Sequence, residues 1–370
     1  MRLSIVPARI AGAFPWRIIL LVLAIGGFGL TVLYSAAGGS ISPWAFTQGL
    51  RFAVFTGLAI ALSRLREEFW SAIALPGYAI TLVLLFAVEL AGAVRGGSQR
   101  WIDLGFIRLQ PSEFMKPGIV LALAAFYARL PIGQIRTITA VWPAALLIGM
   151  PAALVMLQPD LGTALMICAG GGVVMFLAGL PMRLFVGGAL ALAAALPIAF
   201  SMLHDYQRNR VLIFLDPEAD PLGTGYHISQ SKIAIGSGGL FGKGFLNGTQ
   251  SHLDYLPEGH TDFVFATMAE EWGLVGGVLL IGGFLLLIRW GMRVSARAPN
   301  RFSRLTAAGL ASTIFFYVAI NLMMVMGLAP VVGIPLPLVS FGGSAMMTVM
   351  ICIGILMSLD RSARGMGSAR

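Results

Sequence analysis

Charged side chains are what this sequence lacks most: Asp, Glu, Lys and Arg make up 11% of its 370 residues, against 58% hydrophobic. A soluble domain carries about 25% charged residues, so a water-surrounded globule is excluded as the main class. Cysteine is almost missing too. Cys168 and Cys352 both fall inside apolar runs, which excludes a disulfide framework and a cysteine-rich metal site and leaves two buried, inert thiols. The glycine-rich stretch at 231–244 is followed by no Gly-Lys-Ser/Thr at the required spacing, so it is not a P-loop. No repeat of fixed period and no separable soluble domain is visible.

Long unbroken apolar runs are what is there. Only helices and closed barrels span a membrane. A barrel would show short alternating segments instead. With roughly 20 apolar residues per span, the expectation is an all-α polytopic membrane protein of about ten transmembrane helices. They fall at 17–37, 46–63, 70–93, 113–129, 140–157, 161–179, 183–203, 265–289, 304–328 and 343–360. The whole of 1–370 reads as one transmembrane domain. The first run ends in "LYSAAGGS", which resembles a signal-peptide end, but its basic lead and its length fit a retained anchor helix better.

Basic residues choose the orientation. With the amino terminus inside, 16 of the 25 Lys and Arg residues fall in inner loops and tails and seven in outer loops. That bias places both termini in the cytoplasm and explains much of the +9 net charge without nucleic acid. Of the 16 acids, only Glu67, Glu68 and Asp360 are inner. All four histidines fall in the large extracytoplasmic loop 204–262, between spans 7 and 8. A loop this long is functional or disordered. Its mixed composition argues for function, and 226–236 reads as a short helix on the membrane surface.

Ionisable groups at spans suggest function when they face a cavity. In "GGSQRWIDLGFIRLQPSEFMKP" (96–117), Arg100 and Trp101 read as an interfacial anchor or a ligand contact, and Ser112 as a cap of the fourth span. Glu113 and Lys116, three apart, share a helix face, either as a plain ion pair or lining a cavity. In "LQPDLGTA" (157–164), Pro159 breaks the helix and Asp160 caps the next one. In "YQRNR" (206–210), Arg208 and Arg210 offer guanidinium forks that suit phosphate and lipid headgroups alike. In "SKIAIGSGGLFGKG" (231–244), Lys232 and Lys243 accompany the glycines.

"LPEGHTDFVF" (256–265) crowds Glu258, His260, Thr261 and Asp262 beside an apolar span. The plain reading is a helix start capped by Thr261, with Asp262 favouring the helix dipole. A cap needs one polar residue, whereas Glu270 and Glu271 also follow. Asp262 to Glu270 covers about 12 Å of helix, so this end protrudes or lines a wet cavity. Finally, "GIPLPLVSFGGSA" (333–345) suits irregular backbone buried in protein or lining a cavity. Ser340 is a candidate ligand contact there, or part of a plain turn.

Taken in order, "GSQRWIDLG" with "QPSEFMKP", "QPDLGTA", "GSGGLFGKGFLNGTQ", "LPEGHTDFVFA" with "AEEWG", and "PLPLVSFGGSA" resemble the SEDS family (shape, elongation, division and sporulation proteins) over nearly the whole chain. "NGTQSHLDYLPEGHTDF" is more similar to the rod-shape branch than to the division branch. The resemblance implies a peptidoglycan glycosyltransferase of the bacterial cytoplasmic (inner) membrane. Such proteins polymerise lipid II, a disaccharide-peptide on undecaprenyl pyrophosphate, at the extracytoplasmic face. It also implies a class B penicillin-binding protein (PBP2-like) and the elongation machinery as partners, with membrane lipid around them. The family's essential aspartate falls on Asp262.

The implied donor is α-linked and the implied product β-1,4-linked, a single inversion. Pyrophosphate leaves readily, so one carboxylate base plus cations is enough. Asp262 is the expected general base. Arg210, Lys116, Lys232 and Lys243 are expected to hold the pyrophosphate, and Glu258, Glu113 and Asp160 to orient substrate. His260, Arg100, Trp101 and Ser340 complete the candidate binding set. No metal signature is present; a magnesium or manganese ion bridging pyrophosphate and carboxylates stays open. Two other readings compete. A lipid-carrier flippase would place its charges near the midplane rather than in the outer half. A non-catalytic scaffold for the penicillin-binding protein would tolerate Asp262→Asn.

Overall fold

The computed structural model describes residues 15–202 apart from 92, 96–97, 104–107 and 136, then Arg208, Leu212, Ile213 and Asp216, then 223–253 and 255–367. Each expected span corresponds to a helix: α1 Trp16–Ala36, α2 Trp44–Leu62, α3 Glu67–Ala91, α4 Pro111–Arg129, α5 Ile138–Leu157, α6 Leu161–Ala178 and α7 Met182–Met202. Two shorter helices follow, α8 Thr224–Ser237 and α9 Thr249–His252, and then α10 Val264–Arg297, α11 Arg301–Val325 and α12 Gly343–Gly367. Among the described residues, eight of these are long and apolar enough to cross a membrane. The charged opening turn of α4 keeps that helix outside the eight, and the apolar part of α7 is the shorter Met182–Ala195. The chain is a multi-pass membrane protein.

Helix ends follow local chemistry. Pro111 stands in the first turn of α4, where its missing N–H is no loss. The Asp160 carboxylate accepts from Thr163 N at 3.1 Å and caps α6, and Asn300 caps α11 through Ser303 N at 2.8 Å. Two expected caps are corrected. Ser112 lies inside α4 and takes a bond from Gln110 Nε2 at 3.0 Å instead. Thr261 bonds back to Glu258, and α10 starts only at Val264, with Phe263 at the cap position. The tight 258–263 turn holds both residues before the helix begins.

One segment departs from the all-helical reading. Ala93–Arg95, Ser98–Asp103 and Arg108–Leu109 form a small antiparallel sheet in the order β1-β2-β3, with Ala93 opposite Trp101 and Ile102 opposite Leu109. Strands of two to six residues are too short for an alternating pattern to register.

Burial sorts the helices, and of the two thiols expected to be buried it encloses Cys352 but leaves Cys168 exposed on the outward side of α6. In the apolar stretch of α12, 78% of the residues are buried, against 17% in α2. α12 therefore lies inside the bundle with α4, α6 and α11, and α2 faces outward. α10 runs along α11 and is broken at Gly273 (φ 62°, ψ −161°). The freed backbone groups there are taken by the 238–244 loop. Leu274 N donates to Gly239 O (2.9 Å), Val275 N to Leu240 O (3.1 Å), Lys243 N to Glu270 O (3.0 Å) and Gly244 N to Glu271 O (3.0 Å). A β-carbon on Gly242 (φ 80°) would lie 2.0 Å from Glu271 O. The glycines thus let one backbone dock on another, as a broken helix in a membrane protein requires.

Candidate active site

The polar turn before α10 is fixed by its backbone. Thr261 N and Phe263 N both donate to Glu258 O (3.0 and 3.2 Å), with Glu258 at φ 55°. Asn321 of α11 donates from Nδ2 to Asp262 O and to Ile334 O, each at 2.8 Å. Phe341 N donates to His260 O at 2.8 Å. The 327–342 loop is thereby stitched to the turn at two points.

Three consecutive residues of that loop gather three elements. Val332 O meets Gly162 of α6, where a β-carbon would stand 2.8 Å away. A β-carbon on Gly333 (φ 71°) would lie 3.5 Å from Asp262 Oδ2, so that carboxylate lies over bare backbone. Ile334 takes the Asn321 bond. Asp262 is half-buried and Glu258 is exposed.

One turn away on α11, four residues from Asn321, Tyr317 closes a second cluster. Four residues are about 6 Å of helix and leave both side chains on one face. Lys116 Nζ donates to Glu113 Oε1 at 2.5 Å and to Tyr317 OH at 2.8 Å, and the Tyr317 hydroxyl donates to Glu113 Oε2. The Lys116 and Glu113 side chains are 1% and 7% exposed. The shared helix face expected for this pair is present, and the ammonium faces its partners rather than open space. Beside it, Arg100 donates to Gln158 O at 2.8 Å and to Pro159 O, with Asp160 Oδ2 3.9 Å away.

The other candidates separate. Lys232 reaches from α8 over Gly327, at the start of the gathering loop, while Ser231 Oγ anchors α8 on Val325 O at 2.7 Å. Ser340 serves the loop itself: its hydroxyl accepts from Leu336 N (2.8 Å) and its carbonyl from Gln48 Nε2 (2.7 Å). Lys243 is drawn to the buried Glu270, 2.6 Å away, which also accepts from Thr249 N and Gln250 N (both 2.9 Å) and Ser251 N (3.2 Å). Trp101 is half-buried in the small sheet. Arg210 and His204 lie outside the described residues.

Sequence reasoning missed three residues. Trp44 stacks on His260 with centroids 4.0 Å apart and planes 8° apart. Arg51 sits over the Phe341 ring at 5.0 Å, and that ring lies 6.1 Å from His260. Asn321 carries the clamp. Only the polar character of Arg51 and Asn321 within apolar spans could have flagged them. Burial against Trp44 pushes the His260 imidazole below its ordinary value, partly opposed by the Glu258 carboxylate. Among the described residues, no group of three or more His, Cys, Asp or Glu side chains is arranged to hold a metal ion.

Residues 15–365 match the family described as cell cycle protein, FtsW/RodA/SpoVE. The chain is 46% identical over 342 residues to peptidoglycan glycosyltransferase MrdB of Escherichia coli K12, covering 92% of each sequence. It is 30% identical over 437 residues to peptidoglycan glycosyltransferase RodA of Treponema pallidum, covering 95% of this chain and 99% of the other. Its fold is similar to a chain from a peptidoglycan synthase complex that coordinates polymerization and crosslinking, with a TM-score of 0.82, 35% identity and coverage of 95% and 98%. It is also similar to the rod shape determining protein RodA of Thermus thermophilus, with a TM-score of 0.73, 32% identity and coverage of 96% and 98%. The ordered motifs, the helical bundle and these likenesses agree: the chain belongs to the FtsW/RodA/SpoVE family.

Proposed function

We propose that this chain is a peptidoglycan glycosyltransferase that polymerises lipid II into β-1,4-linked glycan during cell elongation, with Asp262 as general base. The observation that carries this reading is the Asp262 carboxylate. Its residue is tied down through the backbone carbonyl while its side chain lies half-exposed over the backbone of Gly333. Such a group is fixed in place through its backbone and is still partly exposed at the polar turn.

In the reaction, the acceptor sugar's 4-hydroxyl gives its proton to an Asp262 carboxylate oxygen as the oxygen attacks the anomeric carbon of the donor. The bond from that carbon to the pyrophosphate oxygen breaks, and the electron pair leaves with the pyrophosphate. The attack comes from the face opposite the leaving group, which inverts α to β. Lys232 and Arg210 hold the departing charge, with Glu258 and His260 orienting the sugars. Lys116 and Glu113 fix α4 against α11 behind the base. Magnesium is typically held by one or two carboxylates plus substrate phosphates; the acids of this turn would hold such an ion, or manganese, and it would supply charge neutralisation for the leaving group.

The same reading places the chain in the bacterial cytoplasmic membrane, with cytoplasmic termini and the site on the extracytoplasmic face. There the reactive sugars are in water and the polyprenyl tails in lipid. A class B penicillin-binding protein that crosslinks the product is the expected partner, in line with the synthase complex to which the fold is similar.

The test is polymerisation of purified lipid II by the reconstituted chain and its penicillin-binding partner, with crosslinking blocked by a β-lactam and with magnesium present or chelated. Wild type should polymerise and Asp262→Asn should not, at equal folded amounts. Equal polymer from both would remove Asp262 from the reaction. Lipid II crossing vesicles with no polymer from either would favour the flippase.

A further inference from the structure

At the end of the bundle away from Asp262, a cavity of about 900 Å³ opens between α1, α10 and α12. Its α10 wall begins at Leu286, more than twenty residues along the helix from the polar turn, which is on the order of 30 Å. It shares no residue with the candidate active site.

Its charge is one-sided. Among the described residues, Arg17, Arg293, Arg297 and Arg364 line it, with Asp360 as the one acid. Asp360 is already held: Arg364 donates to it from Nε (3.1 Å) and Nη2 (2.7 Å), and Trp290 Nε1 lies 3.4 Å from Oδ2. The lining keeps a surplus of three positive charges, carried by Arg17, Arg293 and Arg297.

The arrangement is ordered along the bundle. Leu286, Trp290, Arg293 and Arg297 recur at spacings of four, three and four, so one face of α10 changes from apolar to aromatic to cationic within three turns. On the facing helix, Leu21 lies deeper and Trp16 and Arg17 lie at the end. Trp16 is 61% and Leu286 53% exposed, so the apolar wall is open to the surroundings of the bundle. A guanidinium rim above tryptophan above an open apolar wall follows the polarity gradient of a phospholipid, from phosphate through glycerol to acyl chain.

We propose that this cavity binds the headgroup of an anionic phospholipid, and that a headgroup with two phosphates suits it best. Several guanidinium forks can then each engage phosphate oxygens bidentately, while the acyl chains lie along Leu21 and Leu286. The site holds whichever reaction occurs at the polar turn, because it depends only on this lining.

The test is native mass spectrometry of the full chain in neutral detergent, with tryptophan fluorescence as a second readout. The probes are diphosphatidylglycerol, phosphatidylglycerol, phosphatidylcholine and inorganic pyrophosphate. Diphosphatidylglycerol should be retained in preference to phosphatidylglycerol and clearly over phosphatidylcholine. Arg293→Gln with Arg297→Gln should weaken retention by about fivefold per arginine, roughly 25-fold together. Both arginines are exposed, so the fold is expected to survive. Arg183→Gln, an exposed arginine outside the cavity, controls for simple loss of charge. Equal retention of phosphatidylcholine, or no loss in the double variant, would overturn the proposal. Pyrophosphate binding as strong as the lipid's would reassign the site to a water-soluble anion and overturn it as well.

Discussion

Two carboxylates about one helical turn apart along α11 have opposite fates. Glu113 is sealed, both oxygens taken by Lys116 and Tyr317. Asp262 is held by its carbonyl on Asn321, and its side chain stays half-exposed. The chemical group is the same; what differs is how far it is enclosed. A carboxylate enclosed by protein donors is shut off from a substrate, whereas a half-exposed one stays within a substrate's reach. Glu270, enclosed by Lys243 and three backbone N–H groups, repeats the sealed pattern.

The strongest way to break this contrast is Asp262→Asn. Polymerisation should fall by about 10²–10⁴-fold, the range of a general base, while thermal stability moves by no more than about 0.5 kcal/mol, as for a substitution outside the core. A lowered melting temperature in step with the lost activity would place Asp262 among the structural acids. Lys116→Met should do the reverse and destabilise the bundle by about 3–5 kcal/mol, because Glu113 is left buried without its cation. Adding Glu113→Gln should recover much of that loss in thermal unfolding. An unchanged melting temperature for Lys116→Met would show that the sealed pair is not structural.

Gly242→Ala sharpens the comparison from a third direction. The new methyl meets Glu271 O at a backbone of positive φ, so the 238–244 loop should undock, at more than about 1 kcal/mol. Hydrogen exchange should quicken at Leu274 and Val275, whose amides the loop accepts. The smallest effect belongs to pH. The His260 imidazole titrates below its unfolded value of 6.5, so the unfolded chain binds the proton more readily. Stability is therefore full above that value and declines as pH falls through it toward the folded pKa. His260→Gln should flatten the melting temperature between about pH 7 and 5; an unchanged slope would locate the dependence elsewhere.

Much of the scaffold was legible in the sequence. Apolar run length marked each long helix, to within a few residues at most ends but eight short at the end of α10 and seven short at the end of α12. The three-residue spacing of Glu113 and Lys116 put them on one face. Asp160 after Pro159 announced a cap, and it is one. The polar crowd at 258–262 marked the start of a helix, and it forms one tight turn just before α10. These readings worked because hydrophobic length, helical period and capping act between residues a few positions apart, where spacing along the chain is spacing in space.

Tertiary structure alone decided the rest. The glycines at 238–244, which match no P-loop in the sequence, are backbone docked on the break at Gly273. Lys243 went to Glu270, whereas Lys232 stayed beside the loop that touches Asp262. Val332, Gly333 and Ile334 join α6, the polar turn and α11 through backbone atoms, which every residue carries, so no side-chain pattern records the junction. Sequence by itself determined the membrane bundle and the identity of its polar residues. How far each acid is enclosed was set by contacts such as Glu113 with Tyr317, Asp262 with Asn321 and Glu270 with Thr249, tens to hundreds of positions apart, and those have no period to read.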